Sequence, residues 1–150
     1  PKLMQRATIF QDFAKRSNIW ETAIKGIQAH PLLGEGPLTY FHIYKQYHGH
    51  PTQHAHSIYL DPILSHGIIG VILAGIYFAG NLKEVYLLLK RRIDLRLFSL
   101  ISAFILTILI HGILDYTVYW VQTGLMFLIV LSASSMYFHK EQPYDIHEEH

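Results

Sequence analysis

The sequence predicts an all-α, multi-span integral membrane protein: three transmembrane helices preceded by an extracytoplasmic loop that carries amphipathic helices. Three observations predict it. Hydrophobic residues make up 51% of the chain and charged residues only 15%. Three long stretches, Pro62 to Leu82, Leu97 to Leu114 and Tyr116 to Phe138, contain no Asp, Glu, Lys or Arg. Each approaches the roughly 20 apolar residues with which a helix crosses about 30 Å of hydrocarbon. A soluble domain of 150 residues has too little surface to cover three such helices. The expected division is a loop over 1–57, a three-helix membrane region over 58–138 and a cytoplasmic tail over 139–150.

The first element is polar with amphipathic pieces. Trp20, Ala23, Ile24 and Ile27 recur at helical spacing within Ser17 to Ile27. Asn18 and Glu21 are spaced like a capping box. Pro31 ends this helix, and Gly34-Glu35-Gly36-Pro37 reads as a turn. The aromatic-rich stretch Leu38 to Tyr47 reads as a short helix near the membrane surface. His48 to Ser57 is a loop with Gly49, Pro51 and four histidines. Pro1 is not an initiator Met and no signal peptide follows it, so further spans are expected upstream of this loop. With no cysteine, the chain has neither a disulfide framework nor a thiolate ligand or nucleophile.

The spans are oriented by their short connections. Lys83 to Arg96 holds five basic residues against Glu84 and Asp94, whereas the connection at Asp115 holds one acid. The positive-inside rule puts the basic connection in the cytoplasm, and with it the tail. Residues 1–57 and the Asp115 turn are then outside. The first segment is itself basic, but long loops cross largely regardless of charge. Tyr116, Tyr119 and Trp120 at one end of the third stretch, and Tyr137 and Phe138 at the other, are spaced for interfacial aromatic belts. His66, Gly70 and Ala74 share a face of the first span, a small-xxx-small pattern that suits close helix packing.

Three motifs fall in order along the external segment: Arg16-Ser17-Asn18-Ile19-Trp20, then His30-Pro31-Leu32-Leu33-Gly34-Glu35-Gly36, then His54-Ala55-His56-Ser57-Ile58-Tyr59-Leu60 leading to Gly67-Ile68-Ile69-Gly70. This order resembles the O-antigen ligase and polymerase family: an Arg with a Trp four residues on, an hPLlGxG turn, and an aHNxYL segment opening a helix with EtGiiG. The likeness covers about residues 10 to 80 by motif. Ser57 stands where the family has Asn, and Ser65 where it has Glu, so no family role is carried over to Ser65. The resemblance implies a metal-independent, inverting glycosyltransferase of the plasma membrane, with no cofactor and no nucleic-acid partner. Such enzymes transfer a glycan from an undecaprenyl-diphosphate carrier to an acceptor hydroxyl, on lipid A core in ligases or on another carrier-linked sugar in polymerases.

Chemistry narrows the candidates. Without a metal, preorganised cations must neutralise a departing diphosphate, and the planar, permanently charged fork of arginine suits phosphate. Arg16 is the candidate, with Arg6, Lys15 and Lys25 as less specific helpers. A base for the acceptor hydroxyl is best served by histidine, which titrates near neutral pH. His56 is the candidate, at the family position and at the membrane edge, with His54 as its rival. Ser57 can still hydrogen-bond a substrate. His111 and Asp115, four apart at the outer end of the second span, form a second-tier pair. Each has a plain alternative: Arg16 as a solvated helix charge, His56 as an interfacial residue, Asp115 as a helix-end acid.

Two other classes compete. Six of eleven histidines, His30, His42, His48, His50, His54 and His56, fall within 27 residues, and His48-x-His50 with His54-x-His56 suggests a histidine-rich metal-binding membrane protein. Few carboxylates and no known zinc spacing accompany them. A transporter or assembly module would place its ionisable groups at mid-membrane. Here the spans are nearly free of charge and the polar chemistry lies in the loop.

Overall fold

The computed structural model describes residues 2–138, with side chains from residue 10 onward. The Arg6 side chain and the tail expected over 139–150 lie outside the described residues. Five α-helices, α1 (Lys2–Ala29), α2 (Thr39–Ile43), α3 (Leu60–Lys90), α4 (Leu95–His111) and α5 (Val121–Ser132), are joined by turns and two short 3₁₀ segments, Thr117–Tyr119 and Ala133–Tyr137. No strand occurs among the described residues.

Helix α1 runs far upstream of the Ser17 to Ile27 stretch and stops before Pro31, which has no N–H to extend it. The Asn18–Glu21 capping box does not form, because both residues lie inside the helix. Asn18 instead donates to the His48 carbonyl at 3.4 Å, and Glu21 pairs with Lys25. Ile19, Thr22, Ala23 and Gly26 form the buried face of α1. Ile19 and Ala23 join Tyr40, Ile43, Ala55 and Leu64 in the first core, flanked by Trp20, Ile27, Tyr44, Tyr47 and Leu60. The short aromatic helix therefore packs inward through Tyr40, whose hydroxyl donates to the His50 carbonyl at 3.1 Å.

Helix α3 is broken at Gly67, where φ is 64° and ψ −176°. The break opens two rungs of the helical ladder, those joining the carbonyls of Leu64 and Ser65 to the N–H groups of Ile68 and Ile69. The turn at 31–36 fills the gap. Ile68 and Ile69 donate to the carbonyls of Pro31 and Leu32 at 2.9 and 3.2 Å, while Gly36 and Glu35 donate to those of Ser65 and Leu64 at 2.9 and 3.4 Å. Such a break in an apolar helix is tolerated when other protein groups re-satisfy the freed backbone. The HPLLGEG and GIIG motifs, apart in sequence, are thus one interlocked unit. A Cβ on Gly67 would overlap the Leu32 carbonyl, and one on Gly34 the Ser65 backbone. Gly67→Ala is therefore expected to destabilise the full-length protein by roughly 3 kcal/mol, combining backbone strain and overpacking. Gly36→Ala, also at positive φ but facing open space, should cost about 1 kcal/mol. Unfolding midpoints in detergent check both.

Helix α3 is long and apolar enough to cross a membrane, and the apolar segments Leu95–His111 and Val121–Tyr137 are shorter. The third apolar stretch is not helical from Tyr116 as expected. Trp120 is extended and α5 begins at Val121, because Asp115 and Tyr116 are drawn toward the loop at His54–His56. Of the aromatics expected in an outer belt, Tyr116 and Tyr119 pack against the His54 ring, at 6.1 and 4.8 Å between centroids, while Trp120 is exposed. The basic connection is helical through Lys90 and turns only over 91–94. Asp94 caps α4 by accepting from the Arg96 and Leu97 N–H groups. A second core of Val85, Leu88, Ile101 and Leu131 holds this end together. Glu84 accepts from Ser134 and Ser135, and Tyr137 donates to Asp94 at 2.7 Å. His66 and Ala74, at the ends of the small-residue face of α3, are exposed among the described residues.

Candidate active site

The loop between α2 and α3 is shaped around His56. Its backbone is left-handed at φ 46°, a conformation rare outside glycine. Buried Asp61, in the first turn of α3, holds this loop by accepting the Ala55 N–H at 2.7 Å. The Ser57 hydroxyl accepts from Tyr59 and Leu60, capping the start of α3. Ile58 donates to the Gly112 carbonyl at 2.8 Å, which docks the loop on the end of α4. Sequence reasoning passed over Asp61. The signal was there: an acid at the head of an apolar helix is costly unless paired.

Both nitrogens of the His56 ring are engaged. Nδ1 lies 3.2 Å from Asp115 Oδ1, and Nε2 lies 3.1 Å from the Thr52 hydroxyl. Asp115 thus pairs with His56 and not with His111, as its helical spacing had suggested. Helix α4 ends at His111, so Asp115 lies beyond the last turn, and the exposed His111 ring turns to the Thr117 hydroxyl instead. Arg16, half-exposed on α1, donates to the carbonyl of Leu114, the residue before Asp115. A cleft of about 200 Å³ is lined by Asp12, Lys15, Arg16, Ile19, His50 and His56. Arg16 and His56, forty positions apart in sequence, line the same cleft. Lys15 is in it as well, 3.4 Å from Asp12. Lys25 is not: it is held in an exposed ion pair with Glu21 at 2.7 Å. Ser57 is buried in its capping role and also lines no part of it.

Electrostatics follow from this packing. Burial raises the Asp115 carboxyl, but the Tyr116 N–H and the two nearby histidines outweigh it and hold the group below the usual carboxylate value. Burial, reinforced by the charge of His56 and opposed by Asp115, pushes the His54 imidazole below the ordinary histidine value. His54 is therefore neutral at neutral pH, and its ring lies tilted beside that of His56, 4.3 Å between centroids. Both shifts make the fold acid-sensitive. Below about pH 6.5 the unfolded chain takes up a proton on His54 that the folded chain refuses, so stability falls with pH. Asp115 contributes stability that is lost as pH falls through its lowered folded value. The unfolding midpoint is expected to drop between neutrality and pH 5, and less so in His54→Gln.

The arrangement carries the parts of an acid–base site. With the proton on Nδ1 directed at the Asp115 carboxylate, Nε2 presents a lone pair to a hydroxyl, at present that of Thr52. The Arg16 guanidinium provides a fixed positive charge in the same cleft. Of the histidines read as a metal cluster, His48 and His50 line a neighbouring cleft with Lys15 and Asn18. His54 and His56 instead group with Asp115, their ligand atoms within 4.8 Å of one another. Residues 5–75 match the family model described as O-antigen ligase. This span takes in all three motifs on which the resemblance rests. No curated protein and no solved structure matches the chain.

Proposed function

We propose that this chain, whose residues 5–75 match the O-antigen ligase family model, transfers a glycan from an undecaprenyl-diphosphate carrier to an acceptor hydroxyl at the outer face of the plasma membrane. The family assigns it a role in polysaccharide assembly at a membrane, and the donor, acceptor and residue roles are our reading. The observation that carries it is the shared cleft of Arg16 and His56, with Asp115 behind the imidazole.

In this reading the acceptor hydroxyl takes the place of the Thr52 hydroxyl at His56 Nε2. Its oxygen attacks the anomeric carbon as its proton passes to Nε2, and Asp115 stabilises the imidazolium that results. The bond between the anomeric carbon and the diphosphate oxygen breaks, and its electron pair leaves with the diphosphate. Arg16, helped by Lys15, neutralises that growing charge. A single displacement of this kind inverts the anomeric centre and needs no metal. The topology that goes with it has three spans, with α4 and the Val121–Tyr137 segment crossing beside α3. The 17 residues of α4 are at the lower end of the roughly 17–25 with which helices span. Residues 1–57 and the Asp115 turn then face outward and Lys83 to Arg96 inward.

The test is reconstitution of the full-length protein in vesicles with a labelled polyprenyl-diphosphate glycan, a chelator, and either a lipid-linked sugar or a lipid A core acceptor. Product and released polyprenyl diphosphate are expected with one acceptor. No product with either refutes the reading. The His54, His56 and Asp115 grouping favours a second one, a metal-dependent site on the same imidazole. Stoichiometric zinc lost in His54→Ala, with transfer stopped by the chelator, would select it.

A further inference from the structure

We propose that the turn at 31–36 is a shallow membrane anchor whose Leu32–Leu33 tip lies among the acyl chains of the leaflet that α3 enters. The turn is built like a peg with a polar neck. At its base His30 Nε2 and Glu35 Oε1 pair at 2.7 Å. At its tip Leu32 and Leu33 are 61% and 72% exposed. Isolated exposed leucines are ordinary, but these two are fixed against a particular surface.

The hydrogen bonds that bridge the break in α3 set the level of the tip. Pro31 and Leu32 accept from Ile68 and Ile69, so the leucines lie alongside the first turns after Gly67. From there the surface of α3 is a continuous exposed apolar band, with Ile68, Ile69, Ile72 and Leu73 all outward. That band belongs to the helix long and apolar enough to cross a membrane. Whatever covers Ile69 and Ile72 reaches Leu32 and Leu33 as well. Much of the turn's backbone is bonded from within the protein, which lowers the cost of lying shallowly against hydrocarbon. The Pro31 and Leu32 carbonyls and the Glu35 and Gly36 N–H groups are bonded to α3, and Gly34 donates back to His30. Exposed His66, one residue before the break, marks the level as interfacial and not mid-membrane. Insertion of about 5–10 Å follows, the depth typical of interfacial apolar faces.

The anchor would hold the external segment flat on the membrane, independently of which reaction the cleft performs. These 150 residues contain no cysteine, so single cysteines are introduced here in a full-length protein whose other cysteines, where present, are changed to serine. Leu33→Cys and Leu32→Cys in the full-length protein, each carrying an environment-sensitive fluorophore, are placed in vesicles containing lipid with a nitroxide high on its acyl chain. Glu21→Cys, at a solvated ion pair, serves as the aqueous reference. The leucine-site probes should emit to the blue and be quenched several-fold more by the nitroxide lipid than by aqueous iodide, the reverse of Glu21. Quenching by iodide would overturn the proposal by putting the tip in water. Protection from both quenchers would overturn it by putting the tip under protein.

Discussion

Replacing His56 with alanine is expected to lower transfer by the full-length enzyme by about 10² to 10⁴, the usual contribution of a positioned general base. Membrane insertion should be unchanged. The ring is half-exposed, so its removal opens no sealed cavity. The loop backbone remains held by Asp61, Ser57 and Gly112, none of which contacts the imidazole. Asp115→Ala leaves the base in place but unoriented and should cost less than His56→Ala. In His56→Ala the Asp115 change should then have almost no further effect, since residues acting as one unit are strongly non-additive. Product formation by His56→Ala at the wild-type rate would remove the residue from the chemistry.

Arg16→Ala should lower kcat by about 10² to 10³, the magnitude associated with losing one preorganised charge-stabilising donor. The charge on the diphosphate grows as its bond to the sugar breaks, so kcat should fall more than KM rises. Arg16→Lys keeps the charge but not the paired geometry and should recover only part of the loss. Arg16 also donates to the Leu114 carbonyl, so a structural effect is separated from a catalytic one by stability. A structural effect would lower the unfolding midpoint and be mended by lysine only as far as that bond is remade. A wild-type midpoint with a depressed kcat identifies the catalytic role.

Much of this was legible from the residue string because it depends on local chemistry. The charge-free runs mark the apolar segments, Pro31 ends the first helix, and Gly34 and Gly36 lie at positive φ where a turn was expected. Arg16 and His56 stood out through motifs, and the fold brings them to one cleft. What could not be read locally was partnership. Asp115 and His111 have ideal spacing for a helical pair, but the helix stops at His111 and the acid goes to a histidine 59 positions away. Lys25 has the right charge and the wrong face, and is taken by Glu21 four residues back. Asp61 was passed over, because only the fold shows its burial and its bond to the Ala55 N–H. Gly67 stood out as part of a motif, but nothing in the residue string showed that the helix breaks there, since glycine is common in spans.

That break has a consequence for how the protein is made. A transmembrane segment with a gap in its own backbone ladder is incomplete until a stretch some thirty residues earlier arrives to close it. On the topology proposed above, export of the leading loop and lodging of the segment behind it are one event for the cell. Damage to the loop should surface first as failed biogenesis and proteolytic clearance, before any inactive enzyme accumulates.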